Sequence, residues 1–205
     1  MKSKSTKSSL SKNIIDWVES VVVSVFIVIL LFAFVFRTVG ISGISMEPTF
    51  VDGDRVIIYS LFYKPKCDDI VVISRNNTNL EEYESLDNEP IIKRVIATEG
   101  MWVDIRLENV GGENKGVVYI GQTKTRMEKL NDSKPFITQD KYEEMTVDFP
   151  LQVKKGHIFV LGDNRNHSTD SRYNVMGENG QIDARYVLGK AVLRIFPLSK
   201  IGGVE

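Results

Sequence analysis

The sequence predicts a mainly β domain behind one apolar N-terminal helix that spans a membrane. Between Val21 and Phe36 run sixteen residues with one serine and no charge. Beyond Phe50, short β-branched runs alternate with turns rich in Gly, Pro and Asp. The 205 residues, 42% hydrophobic and 26% charged, suffice for one membrane segment and one domain with its own core.

Residues 1–13 hold Lys2, Lys4, Lys7 and Lys12 and no acid, which leaves −5 on residues 14–205 of a chain whose net charge is −1. This Ser/Lys-rich stretch reads as a disordered cytoplasmic tail. Ser9-Leu10-Ser11-Lys12 matches the Ser-x-x-Lys spacing of penicillin-interacting enzymes, but a tail with no core around it gives that match no force. Residues 14–38 read as the membrane anchor. The apolar run alone spans about 24 Å, short of the ~30 Å hydrocarbon core. Extending it from Trp17 to Thr38 reaches about 33 Å and sets Trp17 and Arg37 at the two interfaces. A cleaved secretory signal shares these ingredients. Here Phe34-Val35-Phe36-Arg37 is bulky and then charged where small residues precede a cut, so the anchor stays. The lysines hold the N-terminus in the cytoplasm by the positive-inside rule and place residues 39–205 outside. The near-neutral charge argues against nucleic acid as a partner. Cys67 is the only cysteine, so no intrachain disulfide can form.

In the outer domain Val51-Asp52-Gly53-Asp54 reads as a turn before a strand, Arg55–Tyr59. Tyr63–Lys66 turns again before Ile70–Ile73, and residues 75–90 read as a solvated acidic loop. In Ile91-Ile92-Lys93-Arg94-Val95-Ile96 the period of two sets Lys93 with Ile91 and Val95, and Arg94 on the other face. One of the two cations should therefore point inward. An inward lysine guarding a sheet edge would look the same. Residues 102–150 read as a polar, irregular insertion or subdomain, with one hairpin-like stretch at Gly116–Gly121. His157–Leu161 is a buried strand running into the polar run Gly162–Arg172, and Val187–Phe196 is the last strand.

Ser45, in Ser42-Gly43-Ile44-Ser45-Met46-Glu47-Pro48-Thr49-Phe50, sits in a short segment that Gly43 and Pro48 keep from being helical. A serine nucleophile needs a base. Of the two histidines, His157 opens an apolar strand and reads as structural, while His167 lies in the polar run. No cluster of Cys and His suits a metal and no glycine-rich loop suits a phosphate, so no cofactor is expected. A lysine serves as base if it is neutral. From a reference pKa of about 10.4, neutrality near pH 7.4 takes about 3 units, roughly 4 kcal/mol. Burial can supply that much. Lys93 is the lysine whose flanks offer burial.

Ser45-Met46-Glu47-Pro48-Thr49, Gly53-Asp54-Arg55-Val56, Lys93-Arg94-Val95-Ile96 and Gly162-Asp163-Asn164-Arg165 with Ser168, Asp170, Ser171 and Arg172 resemble the boxes of the type I signal peptidases. They stand in that family's order, behind an anchor, over residues 15 to about 202, and the single anchor resembles the Gram-positive form. The resemblance implies a signal-peptidase-like β fold and a membrane-bound serine endopeptidase that removes signal peptides after small residues. Ser45 would be the nucleophile and Lys93 its base, with Ser168 orienting the lysine. The Ser45 backbone N–H would join the oxyanion hole. Asp163, Arg94, Asp170 and Arg172 would be structural ion pairs. The implied partners are preproteins, the lipid bilayer and a nearby secretion translocon.

The chain departs from the pattern twice. Gly43 stands where some relatives carry a second serine in the oxyanion hole, and Thr98-Glu99-Gly100-Met101 keeps only the glycine of a usual Pro-Gly-Asp turn. A non-catalytic assembly factor for surface fibres would lack the serine or lysine, and both are here. A self-cleaving Ser/Lys protease of the SOS-repressor type would want a DNA-binding domain and no anchor.

Overall fold

The computed structural model describes residues 5–74 and 90–204, so the acidic stretch at 75–90, Pro90 apart, lies outside the described residues. The chain divides into two compact units, Met1–Arg37 and Thr38–Glu205.

The first unit is α1 (Ser5–Val35). Its eighteen residues Asn13–Leu30 are long and apolar enough to cross a membrane, about 27 Å at 1.5 Å per residue. The two serines within it satisfy their own hydroxyls: Ser20 donates to Asp16 O at 2.9 Å and Ser24 to Ser20 O at 2.7 Å. The helix differs from the expected anchor at both ends. It takes in most of the lysine-rich stretch expected to be disordered, because once nucleated a helix gains a hydrogen bond for each further residue. It stops at Val35, where Phe36 begins a strand.

After α1 come β1 (Phe36–Gly40), whose first two residues end the first unit, and β2 (Arg55–Tyr59), β3 (Ile70–Ile73), β4 (Ile91–Thr98), β5 (Trp102–Val110), β6 (Glu113–Thr123), β7 (Arg126–Lys129) and β8 (Ile137–Thr138) in the second. A short helix α2 (Gln139–Glu143) follows, then β9 (Leu151–Gln152), β10 (His157–Leu161), β11 (Ile182–Asp183), β12 (Val187–Phe196) and β13 (Gly202–Gly203). The protein is mainly β. One sheet runs β1-β2-β12-β3-β4-β10-β11 with β13 on β12, and the other β7-β6-β5-β9 with β8 on β6.

Residues 102–123, expected to be irregular outside Gly116–Gly121, form a regular hairpin in which nine residues pair from Trp102↔Gly121 to Val110↔Glu113. The alternation is present in Val103-Asp104-Ile105-Arg106-Leu107-Glu108, and burial falls from Val103 and Ile105 to an exposed Leu107 towards the hairpin tip. The hairpin shares its core with the first sheet. Val103, Ile105, Val118 and Leu151 pack in one cluster with Ile96, Ala97, Phe159 and Leu161.

β4 is an inner strand of the first sheet, paired with β3 on one edge and β10 on the other. Lys93 and Arg94, of which one was expected to face outward, are both buried, at 4% and 3% exposure. A strand covered on both faces has no solvent side, so the period of two selects between two interiors. The turn after β4 keeps its geometry without the expected proline and aspartate. Met101 N–H donates to Thr98 O at 3.1 Å across Gly100, whose φ of +83° supplies the left-handed position.

Candidate active site

Ser45 lies half-buried in a turn closed by Glu47 N–H to Ile44 O at 3.1 Å and Phe50 N–H to Met46 O at 2.9 Å. Met46 and Phe50 flank it as buried anchors among Val56, Ile58 and Ile92. Asn164 holds the turn from across the site, its N–H on Ser45 O at 3.0 Å and its Nδ2 on Ile44 O at 3.2 Å. Gly43 has a φ of +83° and donates its N–H to Asp52 Oδ1 at 2.8 Å. The backbone there favours glycine, so no side-chain donor stands at this point.

From β4, Lys93 Nζ donates to Ser45 Oγ at 2.8 Å and to Ile92 O at 2.9 Å. That separation is within reach of direct proton transfer. The pairing of β10 with β4 ends at Leu161↔Arg94. Beyond that point chain 162–164 leaves β4, and Asn164 N–H reaches Ser45 O.

The polar run Gly162–Arg172 is braced by two ion pairs. Arg94 grips Asp163 with two hydrogen bonds of 2.8 Å and reaches Asp68 Oδ1 at 2.8 Å. Arg172 grips Asp170 at 2.7 and 2.9 Å, and Gly162 N–H adds a bond to Asp170 Oδ2 at 3.0 Å. Burial alone would raise both carboxyls. For Asp163 the hydrogen bonds of Arg94 and Thr49 and the charges of Arg94 and Lys134 outweigh it. For Asp170 the charge and hydrogen bonds of Arg172 do the same. Both carboxyls are held below the ordinary range and stay ionised inside the protein.

Ser168 is near but not where the resemblance implies. Its Oγ is buried and makes no close hydrogen bond to Lys93, and the carboxyl it helps to hold ionised is that of Asp170. A Cβ on Gly162 would come 2.2 Å from Ser168 Oγ and 2.5 Å from Ser45 O, so glycine alone lets these three strands of chain meet. Gly162→Ala should cost about 1–3 kcal/mol through overpacking and slow the protein's reaction. Thermal unfolding and a rate measurement check it, and wild-type values for both would show the approach to be looser than this. His157 Nδ1 lies 3.0 Å from Lys155 O and His167 is exposed.

Three other residues join the site: Arg194, in the closing stretch Arg194-Ile195-Phe196-Pro197-Leu198 that also resembles the family, and Lys134 and Asp132, for which the sequence carries no short-range signal. Arg194 of β12 donates to Thr49 O, lies 3.4 Å from Asp54 Oδ2 and stacks 4.8 Å from the Phe50 ring centroid. Lys134 Nζ donates to Thr49 Oγ1 at 3.0 Å and sits 3.1 Å from Asp163 Oδ2. Asp132 accepts from Arg165.

A β protein that sets a serine hydroxyl on a buried lysine amine has the parts of a serine hydrolase whose base is an amine instead of imidazole. The chain matches the family described as "Signal peptidase, peptidase S26" over residues 14–196, and it belongs to that family. It is 30% identical to signal peptidase I of Bacillus licheniformis over 206 residues, 95% of this chain and 96% of that one. It is 33% identical to thylakoidal processing peptidase 1 of Arabidopsis thaliana over 167 residues, 79% of this chain but 42% of that longer protein. A crystal structure of a signal peptidase I from Enterococcus faecalis V583 matches at a TM-score of 0.40 with 23% identity, covering 63% of this chain and 98% of that one.

Proposed function

We propose that the protein is a membrane-anchored endopeptidase that removes signal peptides from exported preproteins with a Ser45/Lys93 dyad. The observation that carries the reading is the 2.8 Å contact between Ser45 Oγ and the amine of a lysine only 4% exposed. Neutral Lys93 takes the hydroxyl proton as Ser45 Oγ attacks the carbonyl carbon. The C–N bond then breaks, and the lysine returns its proton to the leaving amine. Water, deprotonated by the same amine, attacks the ester and frees the serine. The Ser45 N–H, which among the described residues makes no backbone hydrogen bond, is available to the oxyanion.

An extended substrate lies beside the strands that carry Ser45 and Lys93 and pairs as an added strand, and small pockets select small residues before the cut. The buried Ser168 hydroxyl, packed against the Gly162 backbone beside Ser45, supports a role in steadying the amine. Asp163 with Arg94 and Asp170 with Arg172 brace the loop. The candidate span Asn13–Leu30 anchors the protein, N-terminus in the cytoplasm and residues 39–205 outside, on the face where preproteins emerge from the translocon.

The test is incubation of the detergent-solubilised protein with a preprotein, its products weighed by mass spectrometry. Cleavage after a small residue at the signal-peptide boundary is expected. An intact preprotein, or cuts scattered through it, would overturn the reading.

A further inference from the structure

Two short stretches distant in sequence face each other with opposite charges in matching places. Asp132-Ser133-Lys134, in the loop between β7 and β8, meets Asp163-Asn164-Arg165 at the end of β10. Asp132 accepts from Arg165, and Lys134 pairs with Asp163 at 3.1 Å. The contacts are sheltered. The side chains of Lys134 and Arg165 are 15% and 4% exposed, and Asp163 is fully buried. Arg165 also donates through Nε to Gly162 O at 3.2 Å.

Lys134 reaches further than its ion pair. Its amine donates to Thr49 Oγ1 at 3.0 Å, and that hydroxyl in turn donates to Asp163 Oδ2. Lysine has only donors, so the Thr49 hydroxyl is polarised one way, from Lys134 towards Asp163. Thr49 belongs to the turn that presents Ser45. The other face of Asp163 is held by Arg94, next to Lys93 on β4. One amine from the second sheet thus touches the supports of both the serine and the lysine.

We propose that Lys134, seated by Asp132 against Arg165, is a positioning residue that fixes the distance between Ser45 and Lys93. It touches neither residue of the dyad. It acts through Thr49 on the serine's turn and through Asp163 and Arg94 on the lysine's strand. This inference rests on the dyad reading above, and proton transfer is steep in distance, so a small displacement suffices to slow it.

The experiment compares the full-length, detergent-solubilised wild type with Lys134→Met, Lys134→Arg and Asp132→Asn on a peptide spanning a signal-peptide cleavage site. Lys134→Met keeps the apolar stem and removes the charge. It should lower kcat about ten-fold or more while KM stays within about two-fold. Lys134→Arg should restore most of kcat. Asp132→Asn, which loosens the loop but leaves the amine, should lower kcat less than Lys134→Met. Wild-type cleavage that Ser45→Ala abolishes tests the dyad reading by itself, and the ratio of the Lys134 and Asp132 variants to wild type tests this inference. Wild-type kcat in Lys134→Met overturns it. So does a loss that arises in KM, or one no greater than the fraction unfolded by thermal melting.

Discussion

Ser45→Ala should leave a folded protein that processes no preprotein. The oxygen removed is the one within 2.8 Å of Lys93 Nζ, and no other hydroxyl is bonded to that amine among the contacts described. Folding should hardly notice. The turn is fixed by main-chain bonds and buried neighbours that an alanine keeps: Asn164 N–H on Ser45 O at 3.0 Å, and Met46 and Phe50 in the core. Losing one hydrogen bond costs about 0.5–1.5 kcal/mol, and Lys93 Nζ retains Ile92 O at 2.9 Å. The two measurements are product mass after long incubation and the thermal midpoint. A midpoint close to wild type with no product is the expected pair. Wild-type turnover would remove Ser45 from the mechanism.

How far this site can be read from the sequence varies by residue, for physical reasons. Strands such as Arg55–Tyr59 and Ile70–Ile73 are legible because their β-branched runs are short and end in Gly, Pro or Asp. The register that sets Lys93 opposite Val71 is not legible, since a slip of one residue gives an equally plausible pattern of alternation. Arg94 shows the same limit. Period-two reasoning assigns one cation to solvent, but β4 is covered on both faces, and Arg94 is tolerated inside because Asp163 and Asp68 meet it. The hairpin at 102–123 has its strand signal in the alternation Val103-Asp104-Ile105-Arg106-Leu107-Glu108, which the high share of charged residues makes easy to read as an irregular polar segment. Lys134 and Asp132 were unreadable. Their meaning lies in the spacing of Asp163 and Arg165, some thirty residues on, and only the folded chain brings the pairs together. The Ser45 and Lys93 boxes are legible because their chemistry needs particular residue types in a fixed local setting. Ser168 is the converse case, named by resemblance but without a bond to Lys93 in the structure.

Replacing Lys93 by arginine should stop the reaction as completely as replacing it by alanine. If Lys93 served only as a cation, arginine would keep the charge and an ion-pairing role would survive the change in large part. A base would not. Guanidinium does not give up its proton near neutral pH, whereas an amine held at 4% exposure is in the setting where the charged form is disfavoured. Arginine is also larger, and a dead variant could reflect overpacking beside Val71 and Val95. Lys93→Met removes that ambiguity. It keeps the length and apolar stem, removes only the amine, and leaves no charge to desolvate. It should therefore be inactive while melting at or above the wild-type temperature. The wild-type rate should rise with pH, because only neutral Lys93 can take the Ser45 proton. That limb should vanish from whatever residual activity Lys93→Met retains. Activity in Lys93→Arg near the wild-type level, with the same dependence on pH, would show that the Ser45 proton goes elsewhere.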